Sequence, residues 1–255
     1  GTLEITDRRT GERYAGLGAL IDEPDRGDLY TYSRGPGAAV RGGKAGKPAV
    51  LAQGPLVAAL ESSWTMRSAG AGWIGVRLVV VLQADSPVVQ LRFDLEHQAA
   101  DHRLRAHFPV GAGTSAVAGT AFGAAVREPV NGDAPRGSIE HPSRTAPAHG
   151  FVAAAEGRRG LAILSTGCFE YEWTRNRALA VTLIRAVGRL SRNDLPERPG
   201  HAAWPEAVPD AQEPGRHVIE LGLVPVTGAD VARPGVHPWM RLRPRVQTLF
   251  LRGDS

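Results

Sequence analysis

From Leu56 to Arg67 the chain alternates. Leu56, Ala58, Leu60, Ser62, Trp64 and Met66 fall on one side; Val57, Ala59, Glu61, Ser63, Thr65 and Arg67 fall on the other and grow polar toward the end. A period of two predicts a half-buried strand. Gly70-Ala71-Gly72 turns the chain into Trp73–Gln83, where Ile74, Val76, Leu78, Val80 and Leu82 face one way and Val79 and Val81 make the other face apolar. A strand apolar on both faces belongs inside a sheet. After an Asp85-Ser86-Pro87 turn, Val89, Leu91, Phe93 and Leu95 alternate with Gln90, Arg92, Asp94 and Glu96. Leu104, Ala106 and Phe108 then alternate with Arg103, Arg105 and His107. Setting Glu96 against Arg103 and Asp94 against Arg105 matches charge and face at every rung, which predicts an antiparallel meander with one wet face.

Weaker strand patterns follow at 115–126, 151–155, 161–165, 169–174, 218–224 and 246–251. Residues 129–149 and 197–215 are rich in turn formers and read as surface loops. Residues 178–190 are ambiguous: Leu179, Leu183, Val187 and Leu190 have helical spacing, whereas the β-branched content favours strand. Composition tips the balance, because 31 Gly and 19 Pro among 255 residues suit many short strands better than long helices. With 42% hydrophobic residues there is material for a core, and no run approaches the 18 apolar residues of a membrane helix. The expectation is a soluble all-β protein without membrane contact. The chain opens on strand-like Gly1-Thr2-Leu3-Glu4-Ile5 with no starting methionine or export signal, so residues 1–255 are expected to be one domain from a longer protein.

Charge narrows the chemistry mainly by exclusion. The net charge is +4, but the 30 basic residues are nearly all Arg and interleave with 26 acids. With no basic block to follow a phosphate backbone, a nucleic-acid partner is not expected. Cys168 is the one cysteine, which rules out an internal disulfide and a cysteine metal site; it reads as a small buried residue in a strand. His97, His102 and His107 are five apart, a spacing that puts successive side chains on opposite strand faces, and they read as surface histidines. Asp94 and Glu96 share a face, as a paired-carboxylate site requires, but their expected arginine partners make them an ion-pair ladder. Arg26-Gly27-Asp28 and Arg252-Gly253-Asp254 are chance matches to an adhesion tripeptide.

Two clusters carry more. Residues 22–32 pack four acids, a Gly, Tyr30 and Tyr32 into eleven positions. Carboxylates accept from hydroxyls and a tyrosine offers a ring face and a phenol, so the segment suits a sugar as well as an acidic turn. Arg185, Arg189, Arg192, Asn193 and Asp194 could clamp hydroxyls or form ordinary surface. No phosphate loop or nucleophile elbow is present.

The run Gly1–Gly11 (GTLEITDRRTG), with Tyr14 and then Gly27-Asp28-Leu29-Tyr30, resembles the C-terminal β domain of glycoside hydrolase family 38 α-mannosidases. The likeness continues through Asp101-His102-Arg103-Leu104-Arg105 into Phe108-Pro109, Gly150-Phe151-Val152, Gly160-Leu161-Ala162 and Glu170-Tyr171-Glu172. It ends with the run 183–195 (LIRAVGRLSRNDL) and Arg198-Pro199-Gly200-His201, which also favours strand over helix for 178–190.

The resemblance implies a large antiparallel β super-sandwich similar to galactose-mutarotase-like domains. It implies a mannoside or related carbohydrate as substrate, probed by a zinc-bearing N-terminal catalytic domain that is absent here. This domain would scaffold that one, contain no catalytic residue or metal ligand, and be inactive alone. It would lend Asp28, Tyr30 and an arginine to the rim of the sugar site. Arg192 is preferred over Arg185 and Arg189 because it precedes Asn193-Asp194. Such a domain should expose an apolar patch where its partner docks, and a bacterial, cytoplasmic setting is expected. One rival is a stand-alone carbohydrate-binding or structural module. Another is a mutarotase-like epimerase using His201 and Glu170.

Overall fold

Alternation along the chain does become strand. The computed structural model describes residues 1–133 and 138–231. Its first strands are β1 (Leu3–Thr6), β2 (Arg13–Leu17), β3 (Ala19–Pro24), β4 (Val40–Arg41), β5 (Ala49–Gln53), β6 (Val57–Arg67) and β7 (Ala71–Gln83). There follow β8 (Val89–Ala100), β9 (His102–Pro109), β10 (Ala116–Thr120), β11 (Gly123–Arg127), β12 (Thr145–Pro147) and β13 (Phe151–Glu156). The last are β14 (Arg159–Ser165), β15 (Glu170–Trp173), β16 (Ala178–Ala186), β17 (Asp194–Leu195), β18 (Arg198–Pro199) and β19 (Gly215–Pro225), with one 3-10 turn at Pro209–Gln212.

Nine strands form one antiparallel sheet in the order β11-β10-β13-β14-β19-β8-β7-β6-β5, and six form another in the order β12-β15-β16-β9-β3-β4. Phe93, Leu95 and Ile74 of the larger sheet and Leu104, Phe108 and Leu179 of the smaller are buried in a common core. This is the all-β super-sandwich that the sequence led us to expect. Tyr14 joins the core from β2; its hydroxyl donates to the Gly160 carbonyl at 2.8 Å and accepts from the Gly160 amide at 3.1 Å. β7 lies inside the larger sheet, between β6 and β8, and residues 178–186 are strand.

The larger sheet outreaches the smaller one. Leu60 pairs with Val50 on one side and Val80 on the other. By alternation these lie on the face that buries Trp64, Ile74 and Leu78 further along. Yet Val50, Leu60 and Leu82 are 60%, 46% and 52% exposed. The core-facing surface therefore runs on past its cover.

The expected meander is overturned. β8 pairs with β7 and β19, while β9 pairs with β3 and β16 in the other sheet. Asp101, in the left-handed region at φ 53, is the one residue between them and carries the chain across the sandwich. The charges find other partners. Asp94 meets Arg77 at 2.8 Å, Arg92 at 3.3 Å and Arg216 at 3.4 Å. Arg103 and Arg105 meet Glu23 at 3.0 and 2.7 Å, and Arg105 also meets Glu172 at 2.5 Å. Alternation specifies which face a residue takes, and leaves the neighbouring strand open.

The histidines and the cysteine also depart from expectation. His97 and His102 are fully buried, because alternation continues through Leu95-His97-Ala99 and His102-Leu104-Ala106 on the core face. His107 lies on the opposite face, half-buried, with Nε2 buried and unpartnered. Cys168 is half-buried in the turn after β14 instead of in a strand, and burial pushes its thiol up. Residues 115–126 form the β10–β11 hairpin. The long loop 129–149 includes β12, and 197–215 includes β18 and the 3-10 turn. The strand expected at 246–251 and the tripeptide Arg252-Gly253-Asp254 lie outside the described residues.

Candidate functional site

The segment from Asp25 to Ser33 leaves β3 at Pro24 and folds into a loop held from within by two buried carboxylates. Asp25 Oδ1 accepts from the amides of Gly27 at 2.8 Å and Ser33 at 3.3 Å. Asp28 Oδ1 accepts from the amides of Tyr30 at 3.0 Å and Thr31 at 2.9 Å, as short polar side chains do in turns. Gly27 is needed for space: a Cβ there would sit 2.0 Å from the Thr31 carbonyl oxygen.

Two arginines from distant strands neutralise these acids. Arg185, near the end of β16, donates through Nε to Asp25 Oδ2 at 2.7 Å. Its Nη2 reaches the carbonyls of Asp28 at 2.6 Å and Thr31 at 2.9 Å. Arg198, in β18, donates through Nη2 to Asp28 Oδ2 and through Nε to Thr31 Oγ1 at 3.0 Å. Asp28 Oδ2 also accepts the Arg192 amide at 2.8 Å, and the Leu29 amide donates to the Arg189 carbonyl at 3.1 Å. Charge-assisted bonds of this kind are the strong ones, and here every carboxylate oxygen is occupied.

At the tip of this clamped loop Leu29 and Tyr30 are 44% and 59% exposed. Tyr32 turns inward instead, its ring 3.5 Å from the Arg103 guanidinium, a cation–π contact. Burial pushes the Tyr32 phenol up. Tyr30, the ring that the family resemblance named, is thus at the surface, and Tyr32 is turned inside.

Beside the loop lies an open depression of about 580 Å³, lined by Asp25, Arg26, Asp101, Arg189, Arg192 and Gln212 among others. Arg26 and Arg189 are exposed. Arg192 forms a two-bond pair with Asp194, Nε to Oδ1 at 2.8 Å and Nη2 to Oδ2 at 2.7 Å. That pair raises Arg192 and holds the Asp194 carboxyl down at about 2. Tyr30, Arg189 and Arg192 are therefore brought to one end of the sandwich. Asp28 lies beneath them, fully buried and bonded to the loop. Arg185 faces the loop's carbonyls. His201 is exposed on the loop after β18, and Glu170 is held by Thr182 at 2.5 Å and Thr145 at 3.1 Å.

Asp22, His102 and His97 form a buried relay that was not expected from the sequence. Asp22 Oδ1 lies 2.6 Å from His102 Nδ1, and His102 Nε2 lies 2.7 Å from His97 Nε2. His97 Nδ1 meets the Glu213 carbonyl at 2.8 Å. Burial pushes the His97 imidazole below its usual range. The core-face alternation around both histidines was the available signal. Arg198 was quoted in a motif, but no role was read for it. Among the described residues no group of three or more His, Cys, Asp or Glu could hold a metal ion. No helix among them is long and apolar enough to cross a membrane.

Residues 1–199 match the description of the glycosyl hydrolases family 38 C-terminal domain. The chain belongs to that family. This family 38 domain is 25% identical over 266 residues to a Halalkalibacterium halodurans protein described as "Putative mannosylglycerate hydrolase", covering 93% of this chain and 28% of that protein. An α-mannosidase from Enterococcus faecalis V583 superposes with a TM-score of 0.77 at 22% identity, over 90% of this chain and 28% of the other. A family 38 protein from Enterococcus faecalis gives 0.73 at 21% identity, over 88% and 28%. These structural matches show the fold. The domain spans little more than a quarter of the length of each of these relatives.

Proposed function

We propose that residues 1–255 are the C-terminal β super-sandwich domain of a longer α-mannosidase-like or mannosylglycerate-hydrolase-like enzyme, and that the domain completes the rim of its sugar site. The observation that carries this reading is Tyr30: an exposed ring on a loop whose every bend is tied to a buried carboxylate or arginine. A preorganised aromatic binds a sugar without the entropy loss of a mobile one. Tyr30 touches the sugar in this reading, Arg192 supplies donors from the neighbouring turn, and Asp28 is a positioning residue that fixes both. Asp194 orients the Arg192 guanidinium, so donor direction is set before the ligand arrives.

Bond cleavage is assigned to the rest of the enzyme. Retaining hydrolysis needs a nucleophile and an acid–base carboxylate flanking the glycosidic bond. Asp25, Asp28 and Asp194 at the loop are instead engaged by amides or arginines. Zinc, where the enzyme uses it, would belong to that other domain, and the isolated β domain would be inactive. The uncovered apolar strip at Val50, Leu60 and Leu82 supports a large intramolecular partner, since such strips mark docking faces. It lies toward the opposite end of β6 and β7 from the Tyr30 loop, roughly 30 Å away at about 3.3 Å per residue. A partner accounting for more than two thirds of the relatives' length is large enough to reach both.

The test uses the full-length enzyme. Tyr30→Ala should lower kcat/KM toward α-mannosides or mannosylglycerate by about tenfold or more, as expected for a lost contact to the bound sugar. Tyr30→Phe separates the phenol from the ring. Unchanged kcat/KM in Tyr30→Ala would sink the rim role. A coding sequence with no hydrolase domain upstream of Gly1 would favour a stand-alone carbohydrate-binding module.

A further inference from the structure

We infer that Asp22, His102 and His97 share three protons between them, one more than a carboxylate and two neutral imidazoles hold, and that this proton joins the two sheets inside the core. The inference follows from counting donors. A carbonyl oxygen can only accept, so His97 Nδ1 must carry hydrogen to meet Glu213 at 2.8 Å. The 2.6 Å contact between Asp22 Oδ1 and His102 Nδ1 needs one proton, and so does the 2.7 Å contact between the two Nε2 atoms. Three contacts need three protons. Two nitrogens bound tetrahedrally to one metal at about 2.0–2.1 Å would lie well over 3 Å apart, so a shared ion does not account for the spacing.

The three-proton state has no net charge wherever its protons sit. It can be written with an ionised Asp22 and one imidazolium, or with a protonated Asp22 and two neutral rings; the protons belong to the group as a whole. Removing one leaves two lone pairs facing at the Nε2 contact and a net negative charge in the core. Adding one sets two N–H groups against each other. Both changes break the same contact.

The surroundings supply little to offset either change. His97 pairs in register with Ile74 and Gly215, His102 with Ala186 and Pro24, and Asp22 with Leu104 and Val40. The other ionisable ring near the group is His217 of β19, 5.6 Å from His97 and bonded to the Glu213 carbonyl at 2.8 Å. Asp22 Oδ2 accepts from Ser68 Oγ at 2.8 Å and the Ala69 amide at 2.6 Å. Ala69 lines one side of the depression, and Gln212, the neighbour of Glu213, lines another. The relay thus links Ser68 and Ala69 at one end to Glu213 at the other, and Gln212 Nε2 also donates to Asp101 at 2.8 Å.

Linkage gives the test, and it holds whether or not the domain binds sugar. Well above pH 6.5 the unfolded histidines are neutral and the unfolded set carries two protons, so folding takes one up. The folding equilibrium constant should then fall by about tenfold per pH unit from this group. Below that pH the unfolded set carries four protons, and the dependence reverses. His97→Gln offers an amide N–H to His102 Nε2 and removes the need for the third proton. Urea unfolding at pH 7.5 and 8.5 should show wild type losing about tenfold relative to His97→Gln over that unit; parallel profiles would overturn the inference. Should the variant not fold, long-range ¹H–¹⁵N spectra of the wild type decide it. One protonated Nε2 within the pair at pH 7.5 is expected, and two unprotonated Nε2 atoms would refute it.

Discussion

Arg185 and Asp25 stand 160 positions apart in the chain and meet at 2.7 Å, guanidinium Nε to carboxylate Oδ2. This pair ties β16 to the loop that carries Tyr30. Asp25 has no exposed side-chain surface and Arg185 retains 17%. Truncating Arg185 to Ala strands a buried carboxylate and the carbonyls of Asp28 and Thr31. Loss of one partner from a buried pair costs about 3–5 kcal/mol. Urea unfolding should show that loss, and amide exchange should rise across residues 26–33.

Gly27 and Asp28 make a second test of the same loop. In Gly27→Ala the new Cβ meets the Thr31 carbonyl, a backbone atom that cannot swing aside. Overpacking of this kind costs about 1–3 kcal/mol. Asp28→Asn keeps the shape but removes the charge facing Arg198, and a loss of about 1–3 kcal/mol is expected from charged hydrogen bonds. Tyr30→Phe, at an exposed position, should stay within about 0.5 kcal/mol of wild type. Chemical denaturation of the isolated domain measures all three, and equal stability of the Gly27→Ala variant would contradict the close packing.

The uncovered apolar strip tests the proposed docking of a larger partner. Leu60→Ser and Leu82→Ser should each cost the isolated domain no more than about 1 kcal/mol, half the transfer value, because these side chains are already half in water. In the full-length protein the same changes should cost about 1–2 kcal/mol each, the transfer value of a leucine buried at an interface. Thermal melts of both forms give the comparison. Equal effects in the two would mean that the strip is not covered.

His107 supplies a pH dependence. Burial, with the Arg105 guanidinium adding to it, lowers its imidazole to about 4. The unfolded side chain titrates near 6.5, so below that pH protons favour the unfolded chain. Stability from this group is complete above about pH 6.5 and is lost progressively as pH falls toward 4. The shift sets an upper limit of about 3 kcal/mol on the loss. His107→Gln should flatten that part of the acid limb in unfolding experiments between pH 7 and 4.

The sequence alone determined the strands and their faces. Ile74, Val76, Leu78, Phe93, Leu95, Leu104 and Phe108 are buried where alternation put them, because a period of two is a local property of extended backbone. The motif Gly27-Asp28-Leu29-Tyr30 marked the loop through its family resemblance, and the close approach at Gly27 and the turn capping by Asp28 each demand the residue type found there. Partner choice was another matter. Asp94 and Arg105 matched in sign and face, yet Asp101 sends them to different sheets, and no local pattern announces a crossover. The same step brings His97 and His102 together at 2.7 Å inside the core. Tertiary structure also decided which tyrosine faces water and which arginines are already engaged by acids. These outcomes depend on contacts between residues up to 170 positions apart, and such contacts exist only once the sheets have stacked.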